Sequence, residues 1–252
     1  MNSETNYNAL HYGERANDYV TSKVHSSGPD LDAIENQVKN KSFKKVLDLG
    51  CGGGHVTYKI APYVEEVIAC DITGEMLDCV KSEAINRKLD NIKTVQSIAE
   101  NLPFKDAEFD AVFCRFTTHH WNDVTAGLRE MKRVLKPNGF AMFIDIYSPE
   151  SALLDSWLQT IELLRDISHV RDLTITEWTS SLGDAGFYIK EMKTSRLRME
   201  FNSWIARTKT PSERVEVIKS LLKAAPKEVS KYFTLEENLS FHIDSVCFIA
   251  HS

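Results

Sequence analysis

The sequence predicts an α/β fold, a doubly wound sheet of about seven strands, and three observations carry that expectation. Short apolar runs alternate with amphipathic segments over residues 44–146, the first run opens into the glycine-rich junction Gly50-Cys51-Gly52-Gly53-Gly54, and the next run closes on an acidic residue, Asp71. Alternation of this kind calls for parallel strands covered by helices. The expected strands are Lys45–Leu49, Glu66–Cys70, Ile92–Gln96, Asp110–Cys114 and Gly139–Ile146. Crossover helices are expected at His55–Tyr63, Glu75–Arg87 and Thr125–Leu135, the last stopped by Lys136-Pro137-Asn138-Gly139, where proline cannot continue a helix.

Beyond Ile146 the signals turn helical. Ser148 with Pro149 is expected to open a helix whose apolar stripe is Leu153, Leu154, Trp157, Leu158, Ile161 and Leu164. Thr174 and Glu177 stand at capping-box spacing, and Thr210, Pro211 and Glu213 repeat the device. Two late strands, Phe187–Met199 and Phe241–Ala250, flank a helical insertion near residues 200–236. A helix is expected near Pro29, with Leu31, Ile34 and Val38 on one face. The chain therefore reads as one domain over 1–252: an N-terminal cap at 1–40, a ligand-binding core at 41–147, and substrate-side helices with the last strands at 148–252.

Length and composition fit that division. The 252 residues suit one large core, and 42% apolar with 26% charged residues is too hydrophobic for a disordered chain. Thirty basic against 36 acidic residues give a net charge of −6, which favours neither a nucleic-acid backbone nor an anionic membrane as partner. The longest apolar runs, Phe140–Ile144 and Val246–Ala250, fall far short of the roughly 20 residues of a spanning helix. The start MNSETNYNAL has neither the basic nor the apolar part of an export signal. Five cysteines, Cys51, Cys70, Cys79, Cys114 and Cys247, form no C-x-x-C pair, as expected of reduced thiols in a cytoplasm.

Chemistry concentrates at Val46-Leu47-Asp48-Leu49-Gly50-Cys51-Gly52-Gly53-Gly54-His55. Glycine lets a ligand approach the backbone where a Cβ would intrude, and the N–H groups of the following helix suit an anionic group. Asp71 stands where a carboxylate can accept both ribose hydroxyls. A dinucleotide fingerprint would need glycine where His55 stands. Asp48 is awkward beside a pyrophosphate and suits a ligand with an ammonium and a sulfonium, the description of S-adenosyl-L-methionine (SAM).

With these residues the chain resembles the class I SAM-dependent methyltransferases, in the UbiE-like, type 11 branch. The resemblance rests on Asp48 to Gly54, on Asp71-Ile72-Thr73 with Met76, on Ala99-Glu100-Asn101-Leu102-Pro103-Phe104, and on Arg133 to Phe140. Tyr12-Gly13, Ala16 and Tyr19, and the segment Arg165-Asp166-Ile167-Ser168-His169, are also similar to stretches in uncharacterised bacterial members. It implies a Rossmann-like seven-stranded sheet and methyl transfer to a small-molecule acceptor, apolar or quinone-like. Gly50, Cys51 and Gly52 would line the methionine part, Asp48 would face its amino end, Asp71 would hold the ribose, and Ile72 and Met76 would flank the adenine. The Ala99 N–H would meet an adenine nitrogen, and Arg115 would lie below the methionine moiety. The family often carries an aspartate where Ile98 stands, so adenine recognition would pass to Glu100, Ser97 or a carbonyl.

Methyl transfer is an in-line displacement that needs alignment more than a base, but an imidazole could take a proton from the acceptor. Four candidates follow: His119 and His120 after the fourth strand, only one of which is expected to face the pocket, His25 in the cap, and His169 in the later helices. A structural hydrogen bond is the competing role for His119 and His120, and a solvated loop position for His25 and His169. Asp145, ending the fifth strand, is expected as a cap or a substrate contact. Tyr12, Tyr19 and Arg15 could close over a sulfonium. Cys51 is expected to fill space. No histidine–cysteine spacing forms a metal site, and no metal is expected. Two other functions share these motifs: a catalytically silent SAM-binding protein, and an NAD-dependent oxidoreductase, which His55 and Asp48 disfavour.

Overall fold

Side-chain alternation along β1 (Lys45–Leu49) sets the layering, because successive residues of a strand face opposite sides. The computed structural model describes residues 28–39 and 41–252. Val46 packs with Leu31, Ile34 and Val38 of α1 (Pro29–Lys39) and with Val56 and Ile60 of α2 (His55–Ile60). Leu47 and Leu49 point the other way, into a core with Leu128 and Met131 of α4 (Val124–Val134) and Trp178 and Leu182 of α6 (Ile175–Asp184). The remaining strands are β2 (Glu66–Asp71), β3 (Ile92–Gln96), β4 (Phe109–Arg115), β5 (Leu135–Ile146), β6 (Tyr188–Met199) and β7 (Phe241–His251). α3 (Gly74–Asn86) crosses from β2 to β3.

The sheet has the order β3-β2-β1-β4-β5-β7-β6, as expected a sheet of seven strands with helices on both faces. The first five strands are parallel, and β7 runs antiparallel to both β5 and β6. Strand order reverses between β1 and β4, and a doubly wound sheet offers its crevice at the carboxyl ends beside such a reversal. Beside that crevice lie α5 (Ala152–Arg165) and α7 (Phe201–Arg207), and α8 (Ser212–Lys223) and α9 (Lys227–Tyr232) back them, joined through Leu158, Ile161, Trp204, Ile218 and Phe233 into a third core. The expected insertion at 200–236 is therefore three helices. No helix among the described residues is long and apolar enough to cross a membrane.

Several boundaries differ from expectation for identifiable reasons. Ser148 and Pro149 do not open α5, which begins at Ala152, because the Ser148 N–H donates to Leu173 O and its hydroxyl to Asp155. Thr174 and Glu177 form the expected capping box. Thr210 caps nothing, since its hydroxyl donates to Arg165 O, and α8 starts after Pro211. The expected helix His55–Tyr63 tightens into a 3₁₀ turn at Ala61–Tyr63. β5 reaches back to Leu135, its register against β4 shifting between Phe109 and Ala111 as Asn138 takes φ +60°. On the expected stripe Leu153 faces outward, 43% exposed, while Leu154, Leu158 and Ile161 are buried.

Gly127 in α4 makes room for Trp121, whose indole borders the crevice: a Cβ there would stand 2.5 Å from Trp121 Cε3. Gly127→Ala should lower stability, because overpacking of about 1–3 kcal/mol against a rigid ring outweighs the roughly 1 kcal/mol of helix propensity gained. The midpoint of urea unfolding checks it.

Candidate active site

The glycine junction after β1 is a left-handed turn held from β2. Gly50, Gly52 and Gly54 have φ of +70°, +48° and +81°, values that side chains strain to adopt. The N–H groups of Gly50 and Cys51 both donate to Cys70 O, at 2.8 and 3.0 Å. Asp71, closing β2, accepts from Gly52 N at 2.8 Å and from Thr73 N at 2.9 Å, so one carboxylate ties the two loops together. Burial raises the Asp71 carboxyl against these bonds.

Asp48 departs from its expected role in one respect. Its Oδ2 accepts from the Thr57 N–H at 2.9 Å and the Thr57 hydroxyl at 2.5 Å, so an amide of the first turn of α2 that was expected to await an anionic ligand is taken by the chain itself. Burial lifts this carboxyl to about 6 despite the Thr57 bonds. Asp48 and Cys51 border a small hollow of about 80 Å³ shared with Gly50, Gly52 and Arg115. Burial holds the Cys51 thiol well above its ordinary value, which leaves it the space-filling role expected.

A cavity of about 840 Å³ opens beside this turn, within the roughly 300–1,000 Å³ of small-molecule sites. One half is walled by Gly50, Gly52, Asp71, Ile72 and Met76, with Ile98, Ala99 and Glu100 beyond them. Glu100 is spoken for, because its Oε1 accepts from Asn122 N at 3.0 Å and Asp123 N at 3.3 Å. Arg115 lines the cavity floor and donates through Nε to Asp30 of α1 at 2.5 Å. Every expected binding residue except Asp48 and Cys51 thus borders the main cavity, and those two border the hollow next to it.

The other half of the cavity is polar at its far end. His119 and His120 both line it, against the expectation that only one would. They sit in a 3₁₀ turn, Thr118–His120, whose tight winding brings their ring centroids to 4.1 Å. Asp145 governs this turn. Its Oδ2 accepts from the Thr118 N–H at 2.9 Å and from the Thr118 hydroxyl, and its Oδ1 accepts from His119 Nδ1 at 2.6 Å. Burial disfavours a charged ring, yet the Asp145 carboxylate outweighs it and lifts His119 to about 9. Burial and the neighbouring His119 push His120 down to about 3, and its Nδ1 donates to Ser168 O at 3.1 Å.

His169 is buried away from the cavity wall. Its Nε2 donates to Gln159 Oε1 at 2.8 Å, and burial with the nearby His119 pushes it to about 4. His169 is therefore not the solvated loop histidine expected as its alternative, because its ring is buried and bonded to Gln159. His25, Tyr12, Arg15 and Tyr19 lie outside the described residues. Asp172 was not singled out in the sequence, although the run Arg165-Asp166-Ile167-Ser168-His169-Val170-Arg171-Asp172 is dense in ionisable groups between two apolar helices. It lines the cavity while 2% exposed, and burial raises its carboxyl.

Residues 47–143 match the family described as Methyltransferase domain. The uncharacterized protein YafE of Escherichia coli (strain K12) is 42% identical over 202 residues, 80% of this chain and 98% of YafE. The uncharacterized methyltransferase YcgJ of Bacillus subtilis (strain 168) is 33% identical over 240 residues, 95% of each chain. The crystal structure of YcgJ matches this fold with a TM-score of 0.84 at 32% identity, over 88% of this chain and 97% of that one. UbiE of Shewanella sp. (strain ANA-3), a ubiquinone/menaquinone biosynthesis C-methyltransferase, is 37% identical over 114 residues, 44% of this chain and 45% of its own.

Gly50→Ala tests the turn directly. At φ +70° the new Cβ would lie 2.3 Å from Thr117 Oγ1, so the variant should lose about 1–3 kcal/mol of stability. Thermal unfolding measures this.

Proposed function

This chain belongs to the methyltransferase domain family, and from that premise we propose that it moves a methyl group from SAM to a small acceptor with an apolar body and an oxygen-bearing reactive end. One observation carries the proposal: a single cavity joins the glycine turn and Asp71 to the polar wall at His119. The residues fit SAM, since a Cβ on Gly52 would meet no atom within 4 Å and the backbone there borders open space. When bound, SAM supplies an electrophilic methyl group on a sulfonium.

The chain's own part is binding, alignment and exclusion of water. The remaining lone pairs of Asp71 would hold the ribose hydroxyls, and Asp48 with Arg115 would flank the amino-acid end. Ile72 and Met76 would enclose the adenine, the Ala99 backbone would meet its edge, and Ile98 gives it an apolar neighbour. Beyond the sulfur, Ile146, Leu197, Trp204 and Ile243 form the apolar wall on which an acceptor would lie. His119, fixed by Asp145, stands at the reacting end to orient an oxygen. The UbiE relatives, ubiquinone/menaquinone biosynthesis C-methyltransferases, support a quinone-like ring as acceptor, over less than half their length.

Incubation with SAM and a panel of hydroxylated aromatic compounds should release S-adenosylhomocysteine with at least one member. Failure to bind either SAM or its product at millimolar concentration would sink the proposal, and binding without transfer to any small molecule would favour the silent module.

Asp71→Ala should weaken S-adenosylhomocysteine binding by about 1.5–3 kcal/mol in calorimetry, through loss of a charge-assisted bond. The pH dependence follows from Asp48. Its carboxyl ionises only above about 6, so an ammonium gains its partner above that pH and loses it below. Affinity should therefore fall by up to roughly tenfold between pH 7.5 and pH 5. Asp48→Asn should flatten the profile.

A further inference from the structure

Donor atoms of His119, Asp145 and Asp172 lie within 4.8 Å of one another, although the three residues come from the turn after β4, the end of β5 and the loop after α5. Two are carboxylates almost wholly buried, Asp145 at 1% and Asp172 at 2% exposed. Asp145 is saturated: beside Thr118 and His119 it accepts from Ile146 N at 2.8 Å. Asp172 is the opposite case, since its backbone is bonded to Gln159 while its Oδ2 has no hydrogen-bond partner. His169 Nε2 is 3.9 Å away and already donates to Gln159, while a ligand atom of His119 lies within 4.8 Å. A buried carboxyl oxygen without a partner is disfavoured in its charged form, so it either keeps its proton or gives it up to a bound cation.

The geometry points to a divalent metal site of the Mn²⁺ kind at the acceptor end of the cavity, with His119 and Asp172 as its protein ligands. Asp145 completes it from outside: a carboxylate that accepts from one imidazole nitrogen fixes the ring and leaves the other nitrogen for a metal. One imidazole and one carboxylate are too few to fill an ion's coordination, so the other positions face the cavity. Those positions suit two neighbouring oxygens of an acceptor, as in a catechol, a quinol or an enediol. His–Cys spacing could not show this site, because its members stand 26 and 27 residues apart along the chain.

The acceptor class rests on the methyl-transfer reading, whereas the ion site rests on the cluster alone, and the test separates them. The full chain, stripped with a chelator, is titrated with Mn²⁺ while free ion is followed by electron paramagnetic resonance. One ion should bind with a dissociation constant of about 10–100 μM, and Asp172→Asn should weaken it tenfold or more. Mn²⁺ should also raise the melting temperature of the parent chain and leave that of Asp172→Asn unmoved. A well-folded Asp172→Asn is expected, since it removes an unpartnered carboxylate. S-adenosylhomocysteine affinity should stay within twofold in the variant, so a lost ion with an intact donor site marks the cluster as the cause. No saturable binding up to about 1 mM Mn²⁺, or equal affinity in Asp172→Asn, overturns the proposal.

Discussion

Carboxylates at the carboxyl ends of the parallel strands hold the whole site together, because each gathers the N–H groups of a loop that has no other partner for them. Asp48 ends its work in α2 through Thr57, Asp71 ties the glycine turn to the loop after β2, and Asp145 fixes the turn after β4. A charged group taken out of water is tolerable only when hydrogen bonds replace its hydration. In these three the replacement comes from backbone amides, joined by the hydroxyls of Thr57 and Thr118 and the His119 ring, so the loops cannot move without stranding a charge. The cavity between them is therefore preorganised by the same bonds that keep the carboxylates ionisable.

The two halves of the cavity differ in how much of them the sequence reveals. The half beside the glycine turn is built from contiguous segments: a strand, its glycine turn and the acid ending the next strand. Local pattern suffices there, and Gly50, Gly52, Asp71, Ile72, Met76 and Ala99 all border the cavity. The half at His119 is assembled from residues distant in sequence, and its logic is tertiary. His119 and His120 were visible as a pair, but their shared place on the cavity wall depends on a 3₁₀ turn that Asp145 holds through Thr118 and the segment at Val170 and Arg171 holds through His119 O. Asp172 carries no local signal of burial, because its segment reads as a polar loop between helices.

The same distinction accounts for the boundaries. Capping chemistry was legible at Thr174, where the box is complete within four residues. It misled at Ser148 and Thr210, whose hydroxyls find partners across the fold, in Asp155 and Arg165 O. A cap competes with any acceptor that packing brings near, and sequence spacing is blind to the competitor. The strands were placed to within a residue or two, except at β5, where a positive φ at Asn138 lets the strand pass a proline that would end a helix.

Electrostatics also distinguishes the ends of the cavity in a way that bears on the acceptor. At the glycine-turn end each acid has backbone partners, and the ammonium of the proposed donor would balance Asp48. At the acceptor end Glu162 is paired with Arg165 at 2.9 Å and Asp166 with Ser168 N at 3.0 Å, while Asp145 is matched by His119. Asp172 is left as the unmatched oxygen on the wall. A purely hydrocarbon acceptor would desolvate that carboxyl further and gain nothing from it. In the proposed reading, an acceptor that brings oxygens, bound through a cation or a hydrogen-bond donor, would complete the wall, the apolar face at Trp204 and Ile243 receiving its body and Asp172 its reactive end.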